Sequence, residues 1–435
     1  MNDPDTLALE LLETALRQVP AYRSWQPLDP GPSASLDDRF AALPALTKAD
    51  MRACTLQDIL RPGVDLDRAL ATGMAELVTT SGSTGDRVTN VWDQSWWNAS
   101  EKSACRYHPV AARRITGTHR EAILASPLCT GVASTDGQPV PIERRQLDRF
   151  LYLNEFVDPA GWSSAHMDRM LAEIDSFRPE VLEANPSYLA ALARYAQATH
   201  RSPSSPSLVI FTFENPSRLH VRQVTGVFPV PAVSSYGTTE TGYVFMECAA
   251  GRLHQNRDYC HVDFQPLKPE HGGPDIGRIL VTPFHHPWQL LLRFDVGDLV
   301  RRSATPCPCG RNDGMVLDAI EGRVINLTLT PDGRAVTQRS VDQAVADIPG
   351  LATYQLIQES PAAYTFRYLE LPGTACSAHD IRDALVALYG PDAAIDIQSA
   401  ASIPVDPPGK YRLTRARFDI PVIPLLMESL PATPL

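Results

Sequence analysis

"LVTTSGSTGDRVTNVW", residues 77–92, gathers the hydroxyls of Thr79, Thr80, Ser81, Ser83 and Thr84 and two glycines, Gly82 and Gly85, into one short loop. Apolar, strand-like stretches flank the loop, and nothing after it reads as a helix. That context decides among the phosphate cradles it could be. A Walker A loop needs GxxxxGK[ST] opening a helix, so that backbone amides, the lysine and the helix dipole face the phosphates together. Here the two glycines lie too close and Asp86 follows, so that reading fails. The serine-hydrolase elbow GxSxG fails too, because Gly82-Ser83-Thr84-Gly85 has the wrong order and no strand-to-helix turn follows. A polar hairpin loop without a ligand stays open at this point, since Ser, Thr and Gly are ordinary turn residues.

The 435 residues exceed what one hydrophobic core usually serves, which argues for two or three domains. Hydrophobic residues at 44% and charged residues at 20% describe an ordinary globular chain. A formal net charge of −11 gives no electrostatic footprint for nucleic acid or an anionic membrane. The N-terminus "MNDPDTLALELLETALRQV" is acidic and amphipathic, unlike a signal peptide, and no later run is long enough to span a bilayer. Eight cysteines in a chain this long do not make a disulfide scaffold, so reduced thiols and a cytoplasmic location are expected.

Up to about residue 75 the chain reads as helical, in "LALELLETALRQV" and "TKADMRACTLQDIL". From Leu77 to about Val300 short β-rich runs ("EAILASPL", "SLVIFTF") alternate with helical ones ("HMDRMLAEIDSF", "SYLAALARYAQAT"), as in an α/β domain. After Glu321 come a hairpin "VINLTLTPDGRAV", a helix "RSVDQAVADI", strands "TYQLIQES" and "YTFRYLEL", a helix "AHDIRDALVALYG" and a strand "AAIDIQSA". That β-α-β-β-α-β order predicts a split βαβ, ferredoxin-like α+β module. The expected architecture is therefore a large N-terminal α/β domain over 1–321 and a small domain over 322–435.

Four further stretches narrow the reading. "SSYGTTETG" (234–242) brings Tyr236, Gly237, Thr238, Thr239 and Glu240 into one run. "LLRFDVGDLVRR" (291–302) places Asp298 behind Gly297, and "EGRVINL" (321–327) and "PPGKYR" (407–412) follow in order. With the Ser/Thr/Gly loop, these five motifs resemble the adenylate-forming superfamily and, within it, its phenylacetate-CoA ligase-like branch. The resemblance covers about residues 35–415. It implies an ATP-dependent acid–AMP ligase with a mobile C-terminal lid. Thr80, Ser81, Gly82, Ser83, Thr84 and Gly85 would then wrap the β- and γ-phosphates of ATP, as hydroxyls and open amides suit a polyanion. The lysine that commonly follows this loop is replaced by Asp86 and Arg87.

By the same resemblance Thr238 and Thr239 contact the α-phosphate and Glu240 holds Mg²⁺, a hard cation shared between protein oxygen and phosphate. Asp298 accepts the two ribose hydroxyls, a bidentate task suited to a carboxylate. Glu214, Asn215 and Pro216, with Phe213 before them, lie along the adenine, and Ser235, Tyr236 and Gly237 belong to the same nucleotide-binding set. Arg323 follows Gly322 in the hinge, where Asn326 is the nearest polar substitute for the acidic residues that the family carries. Lys410 is the mobile catalytic lysine, with Arg412 as a competing cation, and Thr239 and Glu240 join it as catalytic residues. Leu128, Cys129, Ser235, Gly237 and Tyr243 would line the site of a carboxylic acid substrate. Coenzyme A is the expected acceptor, with a carrier-protein thiol or an amine as the alternative. No nucleic-acid or membrane partner is expected, and a homodimer is compatible with all of this.

A second constellation is independent of these motifs. Cys248 and His254 flank a glycine turn in "ECAAGRLH", and Cys307 and Cys309 flank a proline in "CPCGR". Three soft thiolates and an imidazole make a closed, structural zinc site. Cys260 and His261 are spare candidates, and buried free thiols are the plain alternative. Cys54, Cys105, Cys129 and Cys376 stand alone, the histidine pair at 285–286 faces no nucleophile, and Trp96-Trp97 reads as packing. Two functions of other classes remain beside the ligase. One is an inactive nucleotide-binding homologue, motivated by the missing loop lysine and altered hinge. The other is a zinc-dependent nucleic-acid binder, which the acidic charge disfavours.

Overall fold

Asp3 caps a helix over Pro4–Gln18 by accepting a hydrogen bond from the Thr6 amide, and Pro4 opens its first turn. The helix buries the stripe Ala8, Leu11, Leu12, Ala15 and Leu16. "TKADMRACTLQDIL" does not form one continuous helix. Thr47 and Asp50 close a capping box that starts Lys48–Ala53, Cys54 turns extended, and a second box from Thr55 and Asp58 starts a 3₁₀ turn at Leu56–Ile59. Two start signals eight residues apart restart the chain instead of extending it.

The computed structural model of the chain describes residues 3–79, 88–406 and 409–427. They form two compact units, one from Met1–His108, Tyr236–Ala319 and Ile423–Leu435, the other from Pro109–Ser235 and Ile320–Val422. Among the described residues no helix is long and apolar enough to cross a membrane.

In the first unit, Cys260–Pro266, Ile276–Pro283 and Phe294–Arg302 are successive antiparallel strands. Next in the sheet come Val316–Arg323, Leu253–Gln255, Gly242–Glu247 and the end of Ala232–Thr238. Ile276–Pro283 is buried along its whole length. A separate antiparallel pair, Glu76–Thr79 with Thr89–Trp92, sets Thr79 opposite Thr89. These are the two strands expected on either side of the Ser/Thr/Gly loop.

In the second unit, Phe150–Tyr152, Glu121–Leu124, Val181–Ala184, Leu208–Phe211 and the start of Ala232–Thr238 run parallel. The helices Ser164–Phe177 and Pro186–Ala198 pack Met170, Leu171, Ile174, Leu189 and Leu192 onto that sheet's core. Ser163 and Asn185 cap them, each through its own side chain. The C-terminal stretch brings a smaller sheet, ordered Ala394–Ser399, Ala363–Glu370, Leu351–Ser360, Thr414–Ala416. Every element expected after Glu321 forms. The short hairpin Thr328–Leu329 with Ala335–Val336 stays outside that sheet, and Thr414–Ala416 occupies its edge beside Leu351–Ser360.

Tyr22 shows how the N-terminal stretch is tied to the first unit's core. Its fully buried hydroxyl donates to the Leu290 carbonyl and accepts from the Leu292 amide, each at 2.9 Å. Tyr22→Phe leaves both backbone groups unpaired in the interior. The expected cost is about 1–3 kcal/mol, read as a lower midpoint in urea denaturation, and an unchanged midpoint would contradict this account.

Candidate functional site

Of the candidate site residues of the first unit, Tyr236, Gly237, Thr238 and Asp298 lie on two of its strands, and Thr239 and Glu240 on the turn after Thr238. Thr80, Ser81, Gly82, Ser83, Thr84, Gly85, Asp86 and Arg87 lie outside the described residues. The strand that returns from them is anchored. The Val91 amide donates to Gln289 Oε1 at 3.0 Å, and the Val91 carbonyl lies 3.1 Å from His286 Nε2. His286 Nδ1 accepts from the Trp288 and Gln289 amides, so the ring proton sits on Nε2 and points at Val91. Burial pushes this imidazole down to about 4, which keeps it neutral. The histidine pair therefore contributes one structural member.

Tyr236 and Asp298 meet. The phenol donates to Asp298 Oδ2 at 2.8 Å, and the aspartate is nearly buried on the strand Phe294–Arg302. Gly237 must be glycine, because a Cβ there would come within 2.3 Å of the Gly242 carbonyl oxygen. Thr238 and Thr241 share a 2.9 Å hydroxyl contact, and the Thr241 amide donates to Thr238 Oγ1. The turn after Thr238 is thus held by its own hydroxyls.

Glu240 is 2% exposed; its Oε1 accepts no hydrogen bond from the described residues but lies 3.3 Å from the Lys48 ammonium. No sequence motif marks Lys48. Its position at the first helical residue behind the Thr47–Asp50 box is legible, but its pairing with a distant glutamate is not. A buried carboxylate oxygen without a hydrogen-bond donor suits a hard cation, so Glu240 fits the Mg²⁺ role on donor chemistry. Tyr243 is buried, with its ring 4.9 Å from Trp97 and its hydroxyl 3.4 Å from Glu101.

In the second unit, Glu214 is the meeting point. It is half-buried, behind Phe213 in the left-handed region at φ 67°. It accepts from the Ser187 hydroxyl in a short contact and from the Tyr411 amide at 2.9 Å. Surrounding protein raises its pKa, while Ser187, Asn185 and the charge of Lys410 act in the opposite direction. Asn215 donates to the Ile320 carbonyl at 3.2 Å, and Pro216 follows it into the helix cap at Ser217. Ser235 Oγ lies 3.4 Å from the Phe211 carbonyl.

Leu128 and Cys129 are exposed on the short helix Pro127–Thr130. Beside its cap, Ser126 approaches Gly409. Arg412 pairs with Asp406 at 3.1 Å, and burial lowers its pKa. In the "EGRVINL" stretch, Arg323 adds its positive charge near Arg412, and Asn326 donates to Gln338 at 2.8 Å. No motif marks Ser187 or Tyr188 either. They follow the Asn185-Pro186 helix start, which announces a cap and nothing more.

The soft-donor cluster assembles as its sequence pattern implies. One ligand atom from each of Cys248, His254, Cys307 and Cys309 lies within 4.8 Å of the others. Cys248 and Cys307 sulfurs are 3.7 Å apart, and Cys309 Sγ is 3.3 Å from His254 Nε2. Four donors at tetrahedral positions with bonds of about 2.0–2.3 Å would stand roughly 3.5–3.8 Å apart. The Ala250 amide donates to Cys248 Sγ at 3.4 Å, and the His254 ring stacks on Tyr107 at 5.6 Å. The donors fit a structural metal ion. Cys260 is buried elsewhere, with its sulfur on backbone carbonyls, and His261 stacks on Phe40.

No protein-family model matches the chain. Over 204 residues it is 26% identical to the phenylacetate-coenzyme A ligase of Thermus thermophilus, spanning 45% of this chain and 45% of that ligase. Less than half the length of that curated relative is therefore covered. Among solved structures, 2-hydroxyisobutyryl-CoA ligase in its postadenylation state, in complex with R3-HIB-AMP, matches with a TM-score of 0.70 at 15% identity. That match covers 96% of this chain and 89% of the other. An anthranilate CoA ligase in complex with anthranoyl-AMP matches with a TM-score of 0.53 at 14% identity over 77% of this chain and 65% of its own. At these identities the structural likeness is one of fold.

The soft-donor cluster carries its own test. Protein purified without added metal is expected to hold about one tightly bound ion per chain, as a closed four-ligand site requires. Cys307→Ser should lower both the metal content and the thermal midpoint. Metal-free protein of unchanged stability would refute the site.

Proposed function

We propose that the chain, which shares its fold with 2-hydroxyisobutyryl-CoA ligase, is a member of the adenylate-forming superfamily and an ATP-dependent acid–AMP ligase. A substrate carboxylate oxygen attacks the α-phosphorus of ATP, pyrophosphate leaves, and the acyl adenylate passes its acyl group to a thiol with release of AMP. Coenzyme A is the proposed thiol, as in the names of the similar ligases. Leu128, Cys129, Ser235, Gly237 and Tyr243 are the residues proposed to contact the carboxylic acid. The observation that carries the reading is the seating of the Lys410 loop on the Glu214 segment, through the Tyr411 amide. It brings together the last motif of the chain and the adenine-side motif.

In this reading the enzyme's work is positioning and charge neutralisation. Asp298, oriented by the Tyr236 phenol, accepts the ribose hydroxyls. Thr238 and Thr239 face the α-phosphate, and residues 80–85 hold the outer phosphates. Glu214, Asn215 and Pro216 flank the adenine, and Arg323 belongs to the hinge of a lid over 322–435. Mg²⁺, when bound, neutralises phosphate charge, and Glu240 is its proposed ligand. Lys410 bridges the carboxylate and the α-phosphate during adenylation. Zinc is the ion proposed for Cys248, His254, Cys307 and Cys309, as three thiolates favour it.

Pyrophosphate release, measured across a panel of aryl and short aliphatic acids and followed by detection of the acyl-CoA product, tests the activity. Failure of every acid in the panel to elicit release would overturn it. Asp298→Ala should raise the KM for ATP strongly, because two charge-assisted hydrogen bonds are lost, each about 1.5–3 kcal/mol. A variant with wild-type KM would remove Asp298 from the ribose.

Lys410→Ala should slow adenylation by about 10²–10³, the usual cost of one preorganised charge contact. The same variant should still transfer the acyl group from a synthetic acyl adenylate. A defect confined to that transfer step would mean that Lys410 acts elsewhere.

A further inference from the structure

The backbone on both sides of Lys410 is gripped by side chains of which only Glu214 belongs to a motif. Behind it, the Tyr188 hydroxyl lies 2.8 Å from the Gly409 carbonyl and 2.6 Å from the Val157 carbonyl, sharing its one proton between them. The Ser126 hydroxyl bonds to the same phenol oxygen. Tyr188 is fully buried, and its ring meets Trp162 edge-on at 5.4 Å, so the hydroxyl is held in place. Ahead of the lysine, the Tyr411 amide donates to Glu214, whose carboxylate is oriented by Ser187. The loop also closes on itself, with Asp406 and Lys410 exchanging two backbone hydrogen bonds at 3.0 and 3.1 Å.

Gly409 fits this cradle only as glycine. It has φ +96°, and a Cβ would come within 2.5 Å of Ser126 Oγ and 2.9 Å of the Tyr188 hydroxyl. The approach is close enough that the loop is seated in a shaped receptor. Tyr188 and Ser187 start the helix Pro186–Ala198, a rigid base that the Asn185 cap fixes. Both grips are on main-chain atoms, so they locate the backbone of Lys410 while leaving its side chain to act elsewhere.

We propose that Tyr188, Ser126, Ser187 and Glu214 form a dock for the Gly409–Tyr411 backbone, and that Tyr188 is a positioning residue that places Lys410 for the adenylation half-reaction. This rests on the acid–AMP ligase reading for its catalytic consequence, but docking itself can be measured without activity. A grip on a main-chain carbonyl through one hydroxyl is weak enough to release when the loop must leave after adenylation.

The test is a double-mutant cycle with a separate measurement of the dock. Tyr188→Phe keeps the packed ring and removes the hydroxyl. It should slow adenylation about fivefold to tenfold, the scale of one hydrogen bond, with the KM for ATP unchanged. Transfer from a synthetic acyl adenylate should stay at the wild-type rate. In a Lys410→Ala background the same change should have no further effect, because there is no ammonium left to position. Amide exchange in the peptide spanning Gly409–Leu413 should become faster in Tyr188→Phe, and faster still in Gly409→Ala.

Equal loss in both backgrounds, or loss in the transfer step, would overturn the positioning role in favour of general stability. Unchanged exchange in both variants would overturn the dock whatever the kinetics show. If Lys410→Ala adenylates normally, the catalytic reading of Lys410 fails, and the exchange measurement still decides whether the dock exists.

Discussion

Glu214 connects parts of the second unit that the chain separates widely. Its carboxylate accepts the Tyr411 amide across 197 positions of sequence and the Ser187 hydroxyl across 27. A carboxylate crowded by protein is costly unless its oxygens are satisfied, and here the satisfying donors are a helix-start hydroxyl and a loop amide. The requirement works in both directions. The loop is placed because the carboxylate needs a donor, and Lys410 and these donors oppose, without cancelling, the upward push that burial exerts on the carboxyl pKa. The positive φ of Phe213 aims the segment so that Glu214 and Asn215 point to different partners, one to the loop and one to the Ile320 carbonyl.

In the first unit, the strands that carry site residues are fixed by side chains from elsewhere in the unit. His286 and Gln289 hold the Thr89–Trp92 strand, and Tyr236 orients Asp298. The buried Glu240 carboxylate is balanced by the Lys48 ammonium. An ammonium on a flexible stem is a partner that can yield to a divalent cation, whereas a bidentate guanidinium would bind more rigidly. The soft-donor cluster lies on the same unit, formed from the turn after Gly242–Glu247, the strand Leu253–Gln255 and the loop around Cys307 and Cys309. A metal ion held by these four donors would tie the three segments together.

Residues with distinctive chemistry are legible in the linear chain. Three cysteines and a histidine near tight turns are rare enough to announce a cluster, and the fold converges their ligand atoms. The helices over Ser164–Phe177 and Pro186–Ala198 are visible from their 3.6-residue apolar period and their Ser and Asn caps. The interruption at Cys54 is written in two Thr-x-x-Asp boxes that a periodicity reading passes over, because amphipathicity continues across the break. The order of the small C-terminal sheet is not legible. Thr414–Ala416 joins Leu351–Ser360 through backbone hydrogen bonds, to which side-chain pattern gives no partner.

What the sequence determined by itself is local and chemical: which stretches are helix or strand, where caps stop them, and which runs carry hydroxyls, carboxylates and thiolates in a recognisable order. Those follow from interactions within a few residues, so a linear text contains them. Only the tertiary structure decided partners. Lys48 meets Glu240, Tyr188 meets Gly409, and His286 meets Val91, in each case between ordinary residues far apart in the chain. The physical reason is that a hydrogen bond or ion pair depends on distance in space, acting over about 3 Å. No local spacing rule fixes which lysine, tyrosine or histidine the folded backbone brings that close.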